Sequence, residues 1–234
     1  MELKEVMTIL ESYGNEQTKR IFKNHGAQEP IFGVKVGDLK ILLKKTKKDH
    51  ELALKLFKTG NSDAMYLACL MADERKVSQE ELEAWANTSN WFMISEYALA
   101  GLVAESPHAY VLAMKWIESE KELVASAGWS TLSGIVSMSG NEIVSEYEIE
   151  GLIQRIENTI HVSPNRVRYA MNAFVISTGS YIENLSAITI QAALRIGKVD
   201  VKLGSTSCKV PFAPQYIEKT RSKGDIKFRK TVRC

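Results

Sequence analysis

A chain of 234 residues with 45% apolar and 25% charged side chains has the balance of an ordinary globular protein and the length to bury a sizeable core. No window approaches the roughly 20 uninterrupted apolar residues of a membrane span. The acidic start MELKEVMTILES makes a poor signal peptide, so a cytoplasmic protein with no membrane contact is expected.

Three scattered cysteines, Cys69, Cys208 and Cys234, exclude a disulfide framework and suit a reducing compartment. The formal net charge of +2 hides an uneven distribution. Lys219, Arg221, Lys223, Lys227, Arg229, Lys230 and Arg233 face only Glu218 and Asp225 at the end of the chain, which leaves the remainder net acidic.

In chain order, the first basic cluster is KILLKKTKKDH, with Lys44, Lys45, Lys47 and Lys48. Apolar residues then return at three- and four-residue intervals through LALKLFKTG, DAMYLACLMAD, ELEAWANT, HAYVLAMKWIES and NLSAITIQAALRIG, the period of a helix with one buried face. Ser78–Glu81 and Ser145–Glu148 read as capping boxes. Ser106-Pro107 and Ser163-Pro164 place a capping hydroxyl before a proline suited to the first helical turn. Asp63 reads as a first-turn partner of a helix dipole, and Trp85 and Trp116 as core. Strand signals are weak: Lys198 to Leu203 (KVDVKL) alternates, and Ile31 to Val36 is ambiguous.

The chain is therefore expected to be all-α. Helix pairs near 36–59, 62–88, 90–118, 120–159 and 164–196 make units of roughly 30–45 residues, the range of HEAT-type repeats. The expected fold is a curved α-α superhelix, an α-solenoid of HEAT-like helix pairs. It forms one domain over 1–234 with a basic segment at about 217–234, and its hollow side is lined with cations.

Much chemistry is missing. No glycine-rich phosphate loop is present, His25, His50, His108 and His161 lack metal-ligand spacing, and nothing resembles a nucleophile elbow. No metal or cofactor is expected. Cys208, in SCKVP, reads as a small packed side chain rather than a reactive thiol. What remains is groove binding, with or without carboxylate chemistry.

The stretch NWFMISEYALAG, Asn90 to Gly101, sets a carboxylate among apolar residues. Phe92 and Glu96 are four apart and share a helix face. Either Trp91 and Phe92 are core while Glu96 reaches solvent or caps a neighbour, or the three form a site.

KRIFKNHGAQEPIFGVKVGDLK, NTSNWFMISEYAL and NRVRYAMNAFVISTGSYIENL resemble the bacterial DNA alkylation repair family, the AlkD-like HEAT-repeat DNA glycosylases. The likeness is dispersed over the whole chain. The ending TSCKVPFAPQYIEK with IKFRKTVRC resembles a divergent branch. The resemblance implies a basic groove that grips duplex DNA, and excision of cationic alkylated purines without flipping the base. A fixed carboxylate would stabilise the positive charge left on the sugar and orient water, and aromatic faces would attract the same cation.

The resemblance maps that chemistry onto Trp91, Phe92 and Glu96. Where the family carries a tyrosine, two arginines and a second tryptophan, this chain has Ile21, Ser126, Ala173 and Ile176, with Arg166, Arg168 and Trp129 near enough in sequence to substitute. Phosphate contacts are expected from Lys44, Lys47, Lys48, Arg166, Arg168, Lys227, Arg229 and Lys230. The expected partner is duplex DNA, damaged or distorted, bound by a monomer. The alternatives are a non-catalytic binder of DNA structure and a protein-interaction scaffold, since a solenoid groove serves either.

Overall fold

The computed structural model describes residues 1–140, 142–224 and 227–233; Asp225 and Cys234, counted above, lie outside the described residues. Among the described residues all regular structure is helical. The chain opens with α1 (Leu3–Tyr13) and α2 (Glu16–Asn24), the latter begun by Asn15, whose side chain accepts from the Thr18 amide.

Five pairs follow. They are α3 (Val36–Thr46) with α4 (His50–Lys58), and α5 (Ser62–Met71) with α6 (Gln79–Thr88). Next come a π-helical turn, Met93–Leu99, that runs into α7 (Ala100–Ala104), paired with α8 (Ala109–Trp116); α9 (Glu122–Ser139) with α10 (Glu146–Thr159); and α11 (Asn165–Tyr181) with α12 (Glu183–Ile196). A last helix, α13 (Ala213–Arg221), packs on α11.

The first helix of each pair packs against the first helix of the next. This gives an inner row of α3, α5, the π-turn with α7, α9 and α11, backed by the second helices, in the curved solenoid of HEAT-like pairs that the spacing indicated. The residues of the inner row explain its place. Every residue of α5 is buried, and α9 buries most of its length, as a helix flanked on several sides must. Outer helices such as α10 bury one stripe, Ile149, Leu152, Ile153 and Ile156. Two apolar clusters adjoin at α9, which contributes Val124 and Ala127 to one and Ala125 and Trp129 to the other. Trp85 and Trp116 are core, Trp85 stacked on Phe57 at 4.1 Å.

Both expected capping boxes are present at Ser78 and Ser145. Ser106 accepts from the His108 amide just ahead of α8, but Ser163 does not cap α11: its hydroxyl donates back to Thr159. The Glu122 carboxylate accepts from the Arg166 amide instead. Asp63 does more than complement a dipole, for its two oxygens accept from the amides of Phe32, Gly33 and Val34 and hold that extended segment against α5. The alternation in Lys198–Leu203 is real, with Val199 and Val201 buried. No strand forms there because the segment packs on helices, and its Lys202 amide is held by the Asn165 side chain rather than a sheet partner.

The segment 227–233 is a strap across the C-terminal ends of the inner row. Phe228 stacks on Tyr181 at the end of α11, and the Arg229 amide donates to the Ser137 carbonyl of α9. Arg233 pairs with Glu105 after α7 and Glu74 after α5, and donates to the Ala72 carbonyl. Cations there meet the negative ends of parallel helix dipoles. Gly101 and Gly134 let the strap approach: a Cβ on Gly101 would lie 3.0 Å from the Val232 carbonyl oxygen, and one on Gly134 3.3 Å from the Val232 side chain.

Candidate nucleic-acid interface

The solvent face of the inner row is a groove with two chambers. The first, about 580 Å³, gathers at the N-terminal ends of the inner helices. Trp91, Phe92 and Met93 line it together with Glu122, Leu123, Arg166, the loops at 23–28 and 202–208, and Tyr97 and Tyr169. The second, about 350 Å³, runs toward the strap over small residues: Ala100, Gly101, Ser130, Ser133, Gly134, Ala173 and Ser177. Tyr97 and Tyr169 border both chambers.

Glu96 lies behind this divide. The π-turn carries it inward to 6% exposure, where Arg166 from α11 meets it side-on. Arg166 Nε donates to one carboxylate oxygen at 2.8 Å and Nη2 donates to the other. The guanidinium is also stacked, 3.9 Å from the Phe92 ring centroid and 4.6 Å from that of Tyr169. Burial raises the Glu96 carboxyl above its usual range, although Arg166 and Ser126 pull against it. Burial alone would lower Arg166, but Glu96 outweighs it and holds the guanidinium charged. The result is a bidentate, desolvated ion pair, whose two mutual hydrogen bonds offset the cost of burying the charges.

The structure brings Trp91, Phe92 and Glu96 to one place, with distinct tasks. Trp91 is 4% exposed, packs on Phe22 at 5.0 Å, and donates its indole N–H to the His25 carbonyl, pinning the N-terminal loop. Phe92 covers Arg166. Ser126 stands beside Glu96, where an arginine was expected from the family pattern, and Arg166 supplies that charge from another helix. Ala173 and Ile176 lie on the floor of the second chamber, Ile21 is exposed, and Trp129 is fully buried against Phe174.

The expected phosphate contacts fall into three groups. Lys44, Lys47, Lys227 and Lys230 are exposed, with no ion pair among the described residues. Lys48 and Arg229 are exposed but engaged, Lys48 with Glu74 and Arg229 with the Tyr181 hydroxyl. Arg166 is committed to Glu96, and Arg168 is half-buried and lines neither chamber.

The hollow is thus not cation-lined throughout. Its floor is small and neutral, and the cations stand at its edges, on α3, at Lys23 and Lys202, and along the strap. Lys23, Lys202, Tyr97 and Tyr169 were not singled out from sequence, because each is an ordinary surface or helical residue until the fold converges them. Cys208, expected to be packed, is exposed at the mouth of the first chamber. Its amide donates to the Thr206 hydroxyl within the loop.

The stacked helix pairs, with their inner row and groove, define a HEAT-like repeat protein. The match to the model of the family described as DNA alkylation repair enzyme covers residues 6–187, and the chain belongs to that family. It is 40% identical to the uncharacterised protein Lin0241 of Listeria innocua over 222 residues, 92% of this chain and 96% of that one. It is 39% identical to the uncharacterised protein Lmo0209 of Listeria monocytogenes, over the same shares. It is also similar, with a TM-score of 0.90, 37% identity and complete coverage of both chains, to a solved structure. That structure is described as "A new family of proteins related to the HEAT-like repeat DNA glycosylases with affinity for branched DNA structures".

Proposed function

We propose that this protein binds branched or distorted duplex DNA through the groove of its inner helices, and that it does so without excising a base. The observation that carries this reading is the Glu96–Arg166 pair. Stabilising a sugar cation needs a carboxylate whose charge is free at the reacting centre. Here both oxygens of Glu96 are occupied by a guanidinium that cancels the charge inside the protein. Binding needs no such group. Exposed Lys44 and Lys47 at the C-terminal end of α3 and Lys227 and Lys230 on the strap suit phosphates, while a floor of glycine, alanine and serine admits a backbone closely. The described affinity of the structural relative for branched DNA supports the same partner.

Excision remains the second reading, because Trp91, Phe92 and Glu96 do converge at the groove. One pair of assays separates the two. The purified protein is incubated with methylated duplex, and release of 3-methyl- and 7-methylpurines is measured. Its affinity for a four-way junction is then compared with that for a linear duplex of equal length. The expected results are no release above the protein-free rate and tighter binding of the junction. Release that disappears in Glu96→Gln, with DNA affinity retained, would replace this reading with a glycosylase that uses Glu96.

A further inference from the structure

We propose that the first chamber holds one unpaired nucleotide at a DNA branch point, with its base inside and its phosphates at the rim. This deepens the DNA-binding reading above and rests on it. The chamber's volume, about 580 Å³, falls within the roughly 300–1,000 Å³ of sites that enclose a small ligand. Its walls carry the rings of Phe92, Tyr97 and Tyr169, all half-buried and therefore still presenting surface to a ligand. Arg166 occupies one face of Phe92 and of Tyr169, which leaves Tyr97 and the remaining ring surfaces to stack on an unstacked base.

Arg166 adds a charged hydrogen-bond donor to the same wall. Its side chain is 11% exposed and lines the chamber. Nε and Nη2 are taken by Glu96, but Nη1 has no hydrogen-bond partner among the described residues. Nη1 is not sealed from solvent, so it is a charged donor that a group entering the chamber can reach. A ring nitrogen or carbonyl oxygen of a base answers it.

Glu122 lies in the same chamber with one oxygen on the Arg166 amide. Its carboxylate repels phosphate from the interior and accepts from an exocyclic amino group. Lys202, exposed at the rim, suits a flanking phosphate, and Lys23, also exposed there, would exchange its pair with Glu29 for another. The chamber therefore favours adenine, cytosine or guanine over thymine, which has no amino group to offer. A linear duplex presents no unpaired base, so occupancy of this chamber is itself a source of preference for branched DNA.

The test uses the full-length protein and a three-way junction with a single unpaired 2-aminopurine at the branch, a fluorescent base that carries an amino group. Binding is followed by gel shift and base stacking by fluorescence. The expected result is severalfold quenching at the branch position and none when the probe is paired within an arm. Unpaired thymine in place of the probe should bind more weakly. Tyr169→Leu removes the quenching and weakens junction binding by about fivefold or more, while Tyr169→Phe, which keeps the ring, retains both.

A junction that binds with unchanged fluorescence overturns the chamber assignment and leaves the branched-DNA reading standing. A protein that binds no junction removes the reading beneath it. Free 2-aminopurine deoxyribonucleoside monophosphate quenched at concentrations comparable to the junction would assign the chamber to a free nucleotide, against the proposal.

Discussion

Glu96 sits among apolar residues because Arg166, seventy positions away, is stacked between two rings to receive it. The residue that looked misplaced in NWFMISEYALAG is half of a pair whose other half lies in NRVRYAMNAF. Breaking a buried pair strands a charge, whereas replacing both partners does not. Glu96→Leu and Arg166→Met alone should each lower unfolding free energy by about 3–5 kcal/mol, and the double substitution should recover most of that loss. Chemical denaturation of the four proteins measures the cycle. Additive losses in the double variant would show that the pair is not coupled. The presence of an acid beside aromatic rings was legible locally; its partner was not, because nothing in the chain between them marks α11 as its neighbour.

At the scale of elements, the basic end of the chain behaves differently from a free polycation. Arg233 is buried against Glu74 and Glu105 and Arg221 pairs with Glu183, while Lys219, Lys223, Lys227, Arg229 and Lys230 are exposed with no ion pair among the described residues. Burial pushes the Glu74 carboxyl up, but Lys48, its own amide and Arg233 outweigh burial and bring it from 4.5 down to about 2. A carboxylate with a depressed folded pKa contributes stability above its unfolded value and loses it as pH falls through the folded one. The strap should therefore loosen between about pH 4.5 and pH 2, before the helices melt. Amide NMR shifts of residues 227–233 moving to unstructured values ahead of the inner-row signals would register it.

A steric test of the same element is Gly101→Val, whose added atoms start 3.0 Å from the strap backbone. Tryptic cleavage at Lys227, Arg229 and Lys230 should then accelerate about tenfold. An unchanged digest would mean that the strap does not close on Gly101 in solution.

For the whole molecule, the groove's neutral floor and charged edges predict how binding responds to salt. Each phosphate neutralised by an edge lysine should add about −0.9 to the slope of log affinity against log salt, and Lys44→Gln or Lys230→Gln should each reduce its magnitude by about one unit. A slope near zero in a salt titration would favour the protein-interaction alternative for this solenoid. The floor's Gly101, Ser130, Ser133 and Gly134 were readable as residues, but not as a floor.

What the sequence determined by itself was local and periodic. It set helix starts at Ser78 and Ser145, the spacing of pairs from 36 to 196, and the core tryptophans Trp85 and Trp116, because caps and apolar periods act over a few residues and one turn. The dispersed resemblance carried the family as well. The tertiary structure decided everything that depends on residues far apart: Arg166 on Glu96, Asp63 on the 32–34 amides, the strap on four helix ends, and the convergence of Lys23, Tyr169 and Lys202. Those contacts follow from how the pairs stack and curve. Such geometry is set by the packing of whole faces, which no short window of sequence encodes.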